Sequence, residues 1–197
     1  MKRIFLVGIV LCFATSGFGQ KKSLLPLYID GRLPNLHFPK IINYKDSAAT
    51  VSDFQGAQKK MLIFDFWNTH CTVCIAQFPK EEDFQKKYDD QLQFVLVTTE
   101  PKEQVIAFFD RWKKAHHQRF SLPVIVEDTT LTQKYIRVFY QPQYAFFDYQ
   151  NRLIAQTSDY FLNSSIIDGI LQKLAAVKAK DEMARQRVEN SPATGSK

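Results

Sequence analysis

The chain has 197 residues, 45% of them hydrophobic, with 26 Lys and Arg against 20 Asp and Glu. That length suits one domain with appendages, large enough to bury a core without disulfide staples. A net charge of +6, dispersed along the chain, is too mild to indicate nucleic-acid binding.

The N-terminus reads as a secretory signal. Lys2 and Arg3 precede an apolar run from Ile4 to Ala14, and Gly17-Phe18-Gly19 sets small residues at cleavage spacing. Cleavage is expected after Gly19, placing the remainder in a periplasmic or other extracytoplasmic compartment. The run falls short of the roughly 20 apolar residues of a membrane span, although an uncleaved anchor is the alternative. Cys12 follows Leu11 inside the apolar run, a poor context for lipid attachment. Loss of residues 1–19 removes Lys2 and Arg3, taking the charge from +6 to +4, and removes Cys12, leaving only Cys71 and Cys74.

Residues 20–60 form an N-terminal extension to a domain expected to end near residue 180. Leu33-Pro34-Asn35-Leu36-His37-Phe38 is a turn followed by an apolar stretch, and Ser52-Asp53-Phe54-Gln55-Gly56 is a short helical turn closed by glycine. Met61 to Trp67 is apolar except for Asp65, the pattern of a strand buried on both faces. A helix is expected from Thr72 to Tyr88, kinked by Pro79. Leu92–Thr98 is a second buried strand, and Pro101–Ala115 a helix with Val105, Phe108, Phe109 and Trp112 at helical spacing. Leu122–Val126 is a third strand and Thr130–Val138 a short helix. Tyr144–Phe147 and Leu153–Thr157 pair around the turn Asp148-Tyr149-Gln150-Asn151. Asn163 to about Lys180 is an amphipathic helix, and residues 181–197 a charged, then Ser/Pro/Gly-rich tail expected to fray. This order predicts an α/β fold with a central mixed sheet flanked by helices.

Two cysteines separated by two residues close too short a loop to stabilise a fold by chain entropy, so a redox role is the better explanation. Cys71 falls where the strand gives way to the helix. There the positive end of the helix dipole and free N–H groups favour a thiolate. Cys71 is therefore the expected exposed nucleophile, and Cys74 the more buried thiol that resolves a mixed disulfide.

The segment DFWNTHCTVC, with Pro79 five residues after Cys74, resembles the active-site segment of the TlpA/ResA-like exported thioredoxins. Residues 138–148 and the following Arg152-Leu153-Ile154 resemble that family's cis-proline segment and β-hairpin, and SDFQG its lead-in. The resemblance covers about residues 33–178. It departs at His70, where the family often has Trp, at Thr72-Val73 between the cysteines, and at Gln77, where Glu is common. The resemblance implies a thioredoxin fold and a cis peptide before Pro142. It implies that Gln141 offers backbone groups to a substrate strand beside the pair.

A buried carboxylate is costly without a partner. Asp65 aligns with the acid that thioredoxins use to take a proton from the resolving thiol; otherwise it is an outward-facing strand residue. His70, next to Cys71, either stabilises the thiolate as imidazolium or is a solvent-exposed loop residue. Trp67 and Tyr140 either shape the substrate surface or are core.

The function expected is that of an exported thiol–disulfide oxidoreductase, most simply a protein-disulfide reductase. It would act as a monomer without cofactor or metal, on exported protein thiols and disulfides, with electrons exchanged with a membrane partner. The alternative is a copper-binding metallochaperone holding the soft metal through Cys71, Cys74 and His70. The Thr and Arg arrangement of a thiol peroxidase is not found.

Overall fold

The computed structural model describes residues 26–58 and 60–189. The expected signal segment and its cleavage after Gly19 lie outside the described residues. Among the described residues, no helix is long and apolar enough to cross a membrane.

The N-terminal extension forms three two-residue strands, β1 (His37–Phe38), β2 (Ile41–Ile42) and β3 (Ala49–Thr50), and then helix α1 (Val51–Gln55). Thr50 caps α1 reciprocally. Its hydroxyl accepts the Asp53 N–H, and the Asp53 carboxylate accepts the Thr50 N–H at 2.7 Å. Gly56 ends the helix at φ 63°, a conformation glycine adopts without a Cβ clash.

Strand β4 (Met61–Phe66) is buried at all six positions. Helix α2 (Thr72–Lys87) follows it and runs on through Pro79. Next come β5 (Leu92–Val97), α3 (Lys102–His116) and β6 (Val124–Ile125). β6 is shorter than its apolar run suggests. Pro123 has no N–H for a ladder, and Glu127 takes a positive φ of 54°. Residues expected to form a short helix make only a π-helical turn, Leu131–Tyr135. Asp128 takes over the start of that turn, accepting the N–H groups of Thr130, Leu131 and Thr132.

β7 (Gln143–Phe147) and β8 (Leu153–Thr157) form the hairpin. Asp148 fastens its turn by accepting the N–H groups of Gln150 and Arg152. Helix α4 spans Ser164–Glu189. The expectation that the chain frays from Asp181 is thus corrected for residues 181–189. Asp181 holds the helix to the hairpin turn, accepting hydrogen bonds from Tyr149 Oη at 2.8 Å and Gln150 Nε2 at 2.9 Å.

β1 and β3 pair with each other, while the main sheet has the order β2-β6-β5-β4-β7-β8. β4 lies between parallel β5 and antiparallel β7. Side chains alternate across β4. Leu62, Phe64 and Phe66 face the N-terminal extension with Phe38, Val51 and Phe54. Met61, Ile63 and Trp67 face a core shared with α2, α3 and α4. At the centre of that second core, the Phe78 ring lies 4.8–5.5 Å from those of Trp67, Trp112 and Phe120.

Phe78→Ala should cost about 3–5 kcal/mol, measured as a loss of unfolding free energy in urea with an unchanged denaturant slope. A loss below about 1 kcal/mol would mean that this cluster collapses around the missing ring.

Candidate redox site

Because β4 is covered on both faces, the chain must leave the sheet at Trp67. Residues 68–71 make the turn into α2, and polar side chains fix that turn from two directions. Glu100, just beyond β5, accepts the Thr69 N–H and Thr69 hydroxyl, both at 2.8 Å. Gln104 on α3 donates to Glu100 Oε1 at 2.7 Å and to Thr69 Oγ1 at 3.0 Å. Asn68 Oδ1 accepts the His70 N–H at 2.8 Å, and Asn68 Nδ2 donates to Gln141 Oε1 in the opposing loop. The strand-to-helix turn and the 140s loop are therefore joined through one side chain.

Cys71 is the N-cap of α2, and its sulfur accepts the Cys74 N–H at 3.2 Å. The helix N-terminus thus points a donor at this sulfur, which favours negative charge there once the pair is reduced. The two cysteines form a disulfide with Cα atoms 5.3 Å apart. Cys71 is half-buried and Cys74 fully buried, the asymmetry expected of an attacking and a resolving thiol. The Gln141–Pro142 peptide is cis, as the resemblance implies. Pro142 is buried and Gln141 exposed, and just before them Phe139 and Tyr140 are exposed aromatics.

Asp65 is wholly buried on the α2 face of β4, not outward-facing. Both of its oxygens lack hydrogen-bond partners. Burial, reinforced by the nearby Glu81 carboxylate, pushes its carboxyl well above the usual carboxylate range. His70 is exposed, as one of the two readings for it requires. Trp67 is corrected. It is 0% exposed and packs against Phe78, Phe108 and Phe109, so it presents no surface to a substrate. Among the described residues, no three His, Cys, Asp or Glu side chains converge as a metal group.

Four polar residues escaped sequence reasoning. Glu81 could have been found: Cys74, Phe78 and Glu81 follow the i, i+4, i+7 spacing of one helix face. Tyr144, opposite Asp65 in the β4–β7 register, looked like an ordinary strand aromatic. Asn68 and Glu100 carry no local signal, because their partners lie 73 and 31 residues away in sequence.

No protein-family model matches the chain. A curated relative, the thioredoxin-like protein YneN of Bacillus subtilis, is 28% identical over 97 residues, 47% of this chain and 54% of the relative. The chain therefore spans about half the length of that relative. Among solved structures, it resembles a candidate thiol:disulfide interchange protein DsbE from Chlorobium tepidum at TM-score 0.57 and 19% identity, covering 76% of this chain and 97% of that one. The exposed lipoprotein thioredoxin Etrx1 of Streptococcus pneumoniae matches at TM-score 0.55 and 22% identity, over 71% and 99% of the two chains. A thiol-disulfide oxidoreductase from Bacteroides fragilis matches at TM-score 0.52 and 13% identity, over 73% and 98%.

The buried Asp65 carries a stability signature. Burial holds its carboxyl well above the ordinary 3.8 of an aspartate, so as pH rises past that ordinary value the native state keeps a proton that the unfolded chain has lost. Stability therefore falls as pH rises through that window. Asp65→Asn should raise the urea midpoint at about pH 8 and change it little at about pH 3. An equal or larger gain at the acid end would contradict the burial argument. The chain has the thioredoxin fold, with a Cys71–Cys74 pair at the N-terminus of its second helix and a cis-proline loop tethered beside it.

Proposed function

We propose that this chain is an exported thiol–disulfide oxidoreductase working as a protein-disulfide reductase. The observation that carries the proposal is the asymmetric pair: a half-exposed Cys71 sulfur at a helix N-terminus, a buried Cys74, and a buried unpartnered Asp65 on the same side of the sheet. In the reduced protein, the Cys71 thiolate attacks a substrate disulfide. A Cys71–substrate disulfide forms and one substrate thiolate leaves. Asp65 takes the Cys74 proton, the Cys74 thiolate attacks the Cys71 sulfur, and the second substrate thiolate leaves as the Cys71–Cys74 disulfide forms. Two electrons have then passed to the substrate, and a dithiol donor in the membrane restores the pair.

The cis-proline loop is the natural platform for the substrate strand. Gln141 would offer its backbone there for strand-like pairing, flanked by the exposed Phe139 and Tyr140. The N-terminal apolar run and the names of two structural neighbours, an exposed lipoprotein and a thiol:disulfide interchange protein, support an extracytoplasmic location.

The test uses single-cysteine variants with insulin as substrate. With dithiothreitol as reductant, Cys71→Ser should abolish the acceleration of insulin reduction over the uncatalysed rate. Cys74→Ser should lose the acceleration as well and, mixed with insulin after the dithiothreitol has been removed, accumulate a mixed disulfide through Cys71 that dithiothreitol then releases. A reduction potential near about −270 mV agrees with a reductant, whereas one near about −120 mV would make the protein an oxidant of its partners. Tight stoichiometric copper(I) binding under anaerobic conditions with no insulin reduction would favour the metallochaperone and overturn the proposal.

A further inference from the structure

Behind the redox pair lies a second buried acid that the reaction just described does not use. Glu81 is 0% exposed on the inward face of α2, two turns beyond Cys74. Its Oε1 accepts a 2.6 Å hydrogen bond from Tyr144 Oη, and its Oε2 has no partner. Tyr144 stands directly opposite Asp65 in the β4–β7 ladder, so both side chains project from the same face, with Cβ atoms about 5 Å apart. The two carboxyl groups and the phenol thus form one buried polar cluster in otherwise apolar surroundings.

The charges around this cluster do not neutralise it. On α2, the neighbour Lys80 favours the Glu81 anion while Glu82 opposes it. Glu82 itself is engaged by the Ser121 N–H and hydroxyl. From β7, Tyr144 donates to Glu81; from beyond β8, Asp159 adds only further negative charge at Tyr144. Among the described residues, no cation forms an ion pair with either buried carboxylate. Two carboxylates in such a site cannot both ionise freely. Glu81 has the hydrogen-bond donor that supports an anion and Asp65 has none, so Glu81 ionises first and Asp65 titrates against its charge. In line with that order, burial raises Glu81 only to about 8, while Asp65 is raised both by burial and by Glu81.

We propose that Glu81 is a positioning residue acting through Asp65: its buried negative charge sets how firmly Asp65 holds a proton, and so the pH at which Cys74 can be deprotonated and attack Cys71. This rests on the reading of Asp65 as the proton acceptor. The proton leaves the Cys74 sulfur for an Asp65 oxygen; Glu81 exchanges neither electrons nor a covalent bond. Its anion makes Asp65 a stronger base, one better matched to a thiol.

The experiment uses the reduced full chain and 5,5′-dithiobis(2-nitrobenzoate). Attack by Cys71 releases one thionitrobenzoate, and attack by Cys74 on the resulting mixed disulfide releases the second. The rate of the second release is followed against pH. Glu81→Gln keeps a group able to accept from Tyr144, whereas Glu81→Leu does not; both remove the charge. Both should move the acid limb of the second step to lower pH by about one unit, with a plateau rate no higher than wild type. A Glu81→Gln profile that overlays wild type, with only Glu81→Leu displaced, would assign Glu81 a purely structural hydrogen bond and overturn the inference. Asp65→Asn separates the two levels. If it leaves the second step unchanged at every pH, the Asp65 reading itself fails. If it removes the limb while Glu81→Gln overlays wild type, only the Glu81 inference fails. Should either variant fold poorly, the infrared carbonyl band of the protonated carboxyls in the wild-type protein decides. Two separate titration steps support the coupled pair, and a single ordinary one contradicts it.

Discussion

β4 is covered by packed side chains on both faces and hydrogen-bonded to a neighbour on both edges. A strand in that position can leave the sheet only at its end, and here it leaves through a short turn into a helix. Cys71 stands at that exit, where the unpaired N–H groups of the first helical turn converge. The same strand fixes the depth of Asp65, because the alternation that sends Phe64 and Phe66 into one core sends Ile63, Asp65 and Trp67 into the other. A nucleophile at the surface and an acid beneath it are thus two consequences of one buried segment.

Holding an acid there works against stability. A carboxyl group without hydrogen-bond partners in an apolar interior loses its hydration and stays neutral well above the usual carboxylate range. Packing alone gives no reason for it, since the aromatic core of Trp67, Phe78, Phe108 and Phe120 is complete without it. Glu81 adds a second acid to the same region, again with no cation ion-paired to it among the described residues. Groups whose neighbours push their protonation equilibria so far are concentrated where proton transfer is required. The surroundings of Cys71 are of the opposite kind, with the Thr69–Glu100–Gln104 bonds and the Asn68–Gln141 bridge holding its turn against both α3 and the cis-proline loop.

How much of this could be read from the chain depended on the range of the interaction. The buried run from Met61, the cysteine spacing and the capped turn before Gly56 are local patterns, and each element appears where its pattern put it. The cis peptide at Pro142 was accessible only through resemblance, since a Gln-Pro pair by itself is also compatible with an ordinary turn. Trp67 was ambiguous because strand alternation gives the face of a side chain but not whether that face meets solvent; three phenylalanines from α2 and α3 close over it. The end of the last helix was misjudged from its charge, because Asp181 is held by hydrogen bonds from the hairpin turn some 30 residues earlier. Glu81 sits at a position whose spacing marks it as inward-facing. Its residue type argued for the surface, and the Tyr144 hydroxyl that makes its burial possible is 63 residues away.

The fold divides labour between two chemically identical thiols, and their separate reactivity puts that division to the test. The reduced protein would be alkylated with iodoacetamide across a range of pH, and the modified cysteines identified by mass spectrometry. Cys71 should react first, with a thiolate titration below the ~8.5 of a free cysteine, while Cys74 stays protected until the protein unfolds. Equal rates at the two cysteines, or a Cys71 titration at or above the free-thiol value, would contradict it.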